Sequence, residues 1–102
     1  MAETATVRTL EDIRRLRPQI MDFAREHRGK QVSVFGSCVR GELRADSDID
    51  FLVEFESGFR LTDLIRLTQK LEKLLGRKVD VVPRRALRKE LQTYVLSEVQ
   101  AL

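Results

Sequence analysis

The stretch Asp48-Ile49-Asp50-Phe51-Leu52-Val53-Glu54-Phe55 places Ile49, Phe51, Val53 and Phe55 at every second position, and this alternation predicts a strand. Residues two apart on a strand project to the same side, so Asp48 and Asp50 point together, away from the apolar set. One face is expected to be core and the other charged. Upstream, Gln31-Val32-Ser33-Val34-Phe35 is short, alternating and β-branched, and it runs into Gly36-Ser37, which reads as a strand entering a tight turn. Downstream, Lys78-Val79-Asp80-Val81-Val82 repeats the alternation and meets Pro83, which cannot continue a ladder. If the second and third strands are neighbours with their apolar faces on helices, Asp80 joins the Asp48–Asp50 pair.

Helical spacing fills the intervals. Leu10, Ile13, Leu16, Ile20, Phe23 and Ala24 recur at that period behind Thr9 and Asp12, which resemble a capping box with aspartate in place of glutamate. Pro18 lacks a backbone donor and therefore kinks this helix or starts a second one. Cys38 to Leu43 is expected to form a short helix, and Arg44-Ala45-Asp46-Ser47 a polar turn. Leu61, Leu64, Ile65, Thr68, Leu71, Leu74 and Leu75 mark an amphipathic helix ending at Gly76, a left-handed cap. From Arg84 onward Leu87, Leu91, Tyr94, Val95, Val99 and Leu102 predict a closing helix. The expected fold is α/β of the α+β kind, a small mixed β-sheet with helices mainly on one face, in a single domain over 1–102.

Composition narrows the function. A chain of 102 residues, 42% hydrophobic and 34% charged, fits one modest core and leaves no room for a separate substrate-binding domain. Nineteen basic residues against 16 acidic ones give a net charge of +3. That excess suits an anionic ligand such as a nucleotide and falls far short of a dedicated nucleic-acid binder, so direct nucleic-acid binding is not expected. The lone Cys38 can form no disulfide within the chain and fits a reducing compartment. With no signal-peptide pattern at the N-terminus and no apolar run of spanning length, the protein is expected in the cytoplasm and not in a membrane.

Three convergent carboxylates repel one another unless a cation neutralises them, and oxygen-only ligands select a hard ion such as Mg²⁺ or Mn²⁺. Magnesium also keeps positions for water and substrate phosphates, as nucleotidyl transfer requires. Gly36 lets backbone approach an anion closely, and Ser37 adds a hydroxyl donor. Phosphate can dock at this turn, and Arg40 and Arg44 are close enough in sequence to add positive charge. Plainer assignments cover the rest. Asp46, Asp48 and Asp50 match the opening of a calcium loop, but Phe51 stands where that loop needs glycine and Ser57 where it needs glutamate. His27 reads as a surface or capping residue, Cys38 as packing, and Arg84, Arg85, Arg88 and Lys89 as a solvated helix face.

Taken together, Val34-Phe35-Gly36-Ser37, Asp48-Ile49-Asp50-Phe51-Leu52-Val53 and Lys78-Val79-Asp80-Val81-Val82 resemble the polymerase-beta-like nucleotidyltransferase superfamily, and above all its minimal (MNT) branch. Gly41 to Asp50 is especially similar to that branch. The resemblance implies the nucleotidyltransferase fold, Mg²⁺ and ATP as substrate, with Gly36 and Ser37 at the phosphates, Asp48 and Asp50 on metal, and Asp80 as the third carboxylate that also helps deprotonate the attacking hydroxyl. It further implies a HEPN-domain protein toxin as partner, neutralised by transfer of AMP to a tyrosine. One departure is visible: the branch often follows Gly-Ser with Arg-Ala-Arg-Gly, whereas Cys38-Val39-Arg40-Gly41 stands here and one basic side chain near the phosphates is missing.

Three functions share these motifs: an enzyme that adenylylates a protein hydroxyl, an antitoxin that neutralises its partner by binding alone, and a transferase acting on a small molecule or RNA end. Simple binding does not require three mutually repelling acids on one face, which favours the first over the second. The small surface disfavours the third, because a protein partner brings its own contacts. Nucleotide preference, number of units transferred and oligomeric state stay open.

Overall fold

The computed structural model describes residues 6–102. Two helices, α1 (Leu10–Arg15) and α2 (Arg17–Glu26), lead into strand β1 (Gly29–Phe35), a 3-10 turn over Gly36–Cys38 and strand β2 (Ile49–Phe55). Helix α3 (Leu61–Leu75), strand β3 (Val79–Pro83), a second 3-10 turn over Arg84–Ala86, helix α4 (Lys89–Glu98) and a short strand β4 (Gln100–Ala101) follow. The sheet order is β3-β2-β1-β4. β1 is antiparallel to both β2 and β4, whereas β2 and β3 are parallel and joined through α3. This is the mixed sheet that the strand patterns predict.

Pro18 resolves the first helical stretch into two helices, since it falls in the opening turn of α2, where a missing N–H costs nothing. Thr9 caps α1 by accepting the Asp12 N–H at 3.2 Å, but the Asp12 carboxylate accepts in return from the Arg8 N–H at 2.9 Å, one residue before the capping-box position. Gly76 closes α3 at φ 69°, as its position predicts. Elsewhere the boundaries shift. The short helix expected over Cys38–Leu43 is instead a 3-10 turn beginning at Gly36. Pro83 does take part in the ladder, opposite Val53, because β3 is an edge strand whose outer side needs no donor. β4 is too short to leave a sequence pattern.

The main core lies between α1, α2 and α3 and one face of the sheet. Ile13 and Ile20 meet Val34, Ile49, Phe51 and Val53, and Leu67, Leu71 and Leu75 come down from α3 at four-residue spacing. Phe51 and Ile49 are fully buried, and each such side chain contributes about 1.5–3 kcal/mol over exposure. The opposite face is not purely charged, contrary to the reading of the strand pattern. Leu52, Phe35 and Val82 form a smaller cluster with Leu87, Val95 and Val99, so α4 covers part of that face. The acids occupy the uncovered remainder. His27 caps α2 but is buried beside Asp63 at 3.7 Å instead of lying on the surface.

Candidate active site

Strand register brings the predicted residues to one place. Phe35 is the cross-strand partner of Asp50, and Asp50 is the partner of Asp80 on the parallel neighbour. A single row across the sheet therefore runs from the last residue of β1, through the second aspartate, to the third. Asp48 stands one residue before β2, where the bond from Ile49 N–H to Lys78 O at 3.1 Å ties the starts of β2 and β3 together. Asp50 is half-buried, whereas Asp48 and Asp80 are exposed. Among the described residues the acids are not drawn in on one point as a closed ligand set.

Burial first, then the charges of Asp80 and Asp48, push the Asp50 carboxyl up to about 6. A carboxyl so disfavoured as an anion marks a place where a cation is welcome. The donor chemistry fits Mg²⁺: carboxylate oxygens only, one half-buried and two open to solvent, leaving room for water and phosphate ligands. Asp48, Asp50 and Asp80 carry the carboxylates from which such a site would be assembled, once their side chains turn to one point.

The turn after β1 lies directly against this row. Gly36 has φ 80°, and a Cβ there would overlap Asp50 Oδ2, so only glycine permits both the turn and the carboxylate behind it. Ser37 is half-buried, with its carbonyl accepting the Glu42 N–H at 2.9 Å. Cys38 is buried, and burial pushes its thiol up to about 11, which makes it a packing residue and not a nucleophile. Of the two arginines near the turn, Arg40 is at the site, with Nε donating to Glu42 Oε1 at 2.8 Å and Nη1 to Glu98. Arg44 contributes its backbone, because its carbonyl accepts from Arg77.

Two residues at the site have no precedent in the sequence reading. Glu98, the last residue of α4, accepts the Gly36 N–H at 2.9 Å. It lies 62 positions away in sequence, and no local pattern announces such a contact. Arg77 fastens the turn that leads into Asp48, donating to Ser47 O at 2.7 Å, to Val7 O at 3.1 Å and to Arg44 O. Its position after the helix-ending Gly76 was a usable signal, since a residue there sits where α3 hands over to β3. Asp46 and Ser47 make the predicted turn, Ser47 Oγ accepting the Arg44 N–H at 3.1 Å.

Known proteins match this chain over most of its length. The family model for the nucleotidyltransferase domain matches residues 14–102. The protein adenylyltransferase MntA of Thermococcus cleftensis is 42% identical over 92 residues, covering 89% of this chain and 93% of that protein. A solved structure described as a minimal nucleotidyltransferase is 45% identical and superposes with a TM-score of 0.83 over 92% of this chain and 96% of its own. A toxin–antitoxin complex solved with AMP-PNP contains a chain 26% identical, at a TM-score of 0.71 over 82% of this chain and 69% of its own. A fold, a site and relatives that coincide over nearly the whole chain leave one conclusion: the protein is a nucleotidyltransferase, a member of the minimal branch of the nucleotidyltransferase domain family.

Proposed function

We propose that this chain is the antitoxin of a toxin–antitoxin pair and that it transfers AMP from ATP to a hydroxyl, a tyrosine by preference, of a HEPN-domain toxin. The observation that carries the reading is the row Phe35–Asp50–Asp80 with the Gly36 turn at its end, which sets a positive-φ glycine turn directly against the Asp50 carboxylate. In this reading Gly36 and Ser37 hold the phosphates, and Asp48, Asp50 and Asp80 hold Mg²⁺. Held by these carboxylates, Mg²⁺ would supply neutralisation of phosphate charge and orientation of the reactants. Asp80, exposed on the edge strand, takes the proton of the acceptor hydroxyl. That oxygen bonds to the α-phosphorus of ATP, the bond from the α-phosphorus to the α–β bridging oxygen breaks, and pyrophosphate leaves. The acceptor comes from outside, which an open site on one side of a small sheet permits. Among the described residues no helix is long and apolar enough to cross a membrane.

The test uses α-labelled ATP, Mg²⁺ and a purified HEPN-domain toxin as the acceptor. Label is expected on the partner, not on this chain, and Asp80→Asn is expected to lower transfer at least ~100-fold, the size of effect typical for loss of a general base, while keeping partner binding. If Asp80→Asn suppresses toxicity in cells as well as the parent chain does at equal abundance, neutralisation works by binding and the transfer reading is wrong.

A further inference from the structure

Helix α4 ends on a carboxylate that lies inside the proposed phosphate turn. Glu98 Oε1 accepts the Gly36 N–H at 2.9 Å, and Arg40 Nη1 donates to both Glu98 oxygens, at 3.2 and 3.0 Å. The Glu98 side chain is only 17% exposed. A backbone N–H in a glycine turn together with a guanidinium is the donor set that an oxyanion of phosphate takes, and a carboxylate satisfies the same donors. The packing of α4 does not require a charge there, because its hold on the sheet is apolar, through Val95 and the neighbouring Leu87 on Leu52. Placing a further carboxylate on the acidic side of the sheet costs electrostatic energy, which the two donors must offset.

We propose that Glu98 is an internal competitor of the nucleotide and sets its affinity: it fills the phosphate subsite of Gly36 and Arg40, and a triphosphate enters by displacing it. This inference rests on the reading of Gly36 as a phosphate donor. Displacement exchanges the carboxylate for a phosphate oxyanion on the same two donors. Only the carboxylate has to leave the turn, since the segment beyond it stays anchored by pairing of Ser33 with Ala101 and Val34 with Gln100, by Leu102 N–H on Val32 O at 3.4 Å and by Arg14 on Gln100 and Ala101, and the apolar cluster under α4 is the smaller of the two. Nucleotide binding and seating of the α4 end are then reciprocally linked, each weakening the other by the same factor.

Calorimetry on the full chain tests this with two probes, ATP with Mg²⁺ and tripolyphosphate without metal. Glu98→Gln, which removes the charge and keeps a similar shape, is expected to bind both probes roughly 10-fold more tightly than the parent, the scale of a lost charge-assisted hydrogen bond. Glu98→Ala should do the same, and Arg40→Ala should weaken tripolyphosphate binding whether or not Glu98 is present. Equal or weaker binding by Glu98→Gln, with an unchanged circular dichroism spectrum, overturns the competitor role. If that result comes with intact ATP binding and partner labelling by the parent chain, the transferase reading stands and only the role of Glu98 is lost. If parent and both Glu98 variants bind neither probe, the phosphate turn itself is misassigned and both readings fall together.

Discussion

At the scale of single residues, Asp50 carries the most strain. Its carboxyl is pushed up to about 6, chiefly by burial and then by Asp80 and Asp48, while Arg40 pulls the other way and Glu98 adds to the rise. The folded chain therefore holds a proton on Asp50 more tightly than the unfolded chain does. Ionised Asp50 costs stability above about pH 6, and the cost fades as the pH falls through that value towards the ordinary carboxylate range. Metal-free protein is thus expected to melt at a higher temperature at pH 5 than at pH 7.5. Asp50→Asn should remove this dependence and stabilise the metal-free fold at pH 7.5 by ~1 kcal/mol, discounted for partial exposure, or about 4–8 °C, while abolishing transfer. A melting temperature at pH 7.5 that falls in Asp50→Asn would place the strain elsewhere. Gly36 and the Asp-x-Asp pair were legible in the sequence because turn geometry and alternation are local properties. Glu98 was not, since its partners Gly36 and Arg40 lie 62 and 58 positions away.

At the scale of elements, the parallel pairing of β2 with β3 joins Asp50 to Asp80, and α3 makes that pairing reachable by carrying the chain back to the start of the sheet. The helix was readable from its leucine spacing and from Gly76. The double role of β2 was not, because Leu52 sits in the same alternating set as Asp50 and becomes apolar cover only when α4 arrives. Arg77 links these elements to the chemistry by fastening the turn before Asp48. Arg77→Ala should cost ~1–2 kcal/mol, the value of lost hydrogen bonds from a charged group, and should raise the Mg²⁺ concentration needed for half-maximal transfer, with Arg77→Lys partly restoring both. Loss of transfer at all Mg²⁺ concentrations without a shift of the midpoint would show that the turn does not position Asp48.

Across the whole molecule, two cores of unequal size meet on opposite faces of one sheet. The larger joins α1, α2 and α3 to Ile49, Phe51 and Val53; the smaller holds α4 through Leu52, Leu87 and Val95. Stability within a fold follows the density of buried apolar contacts, so the helix on the smaller core is expected to open first. Hydrogen exchange should show α4 amides exchanging by local opening, well ahead of those in α3 and β2, and nucleotide should speed α4 exchange further. Equal protection of α3 and α4 would mean that the molecule opens as one unit. The free edge of the sheet has a consequence of another kind. β3 must stay uncovered if a large acceptor is to reach Asp80, yet a bare strand is a template on which another chain can add and seed aggregation. Pro83 offers no N–H at the end of that edge and Asp80 sets a charge near its start, on a strand of only five residues. The carboxylate proposed to draw the acceptor's proton thus also helps keep copies of the protein from stacking edge to edge, and replacing it with an apolar residue would endanger solubility.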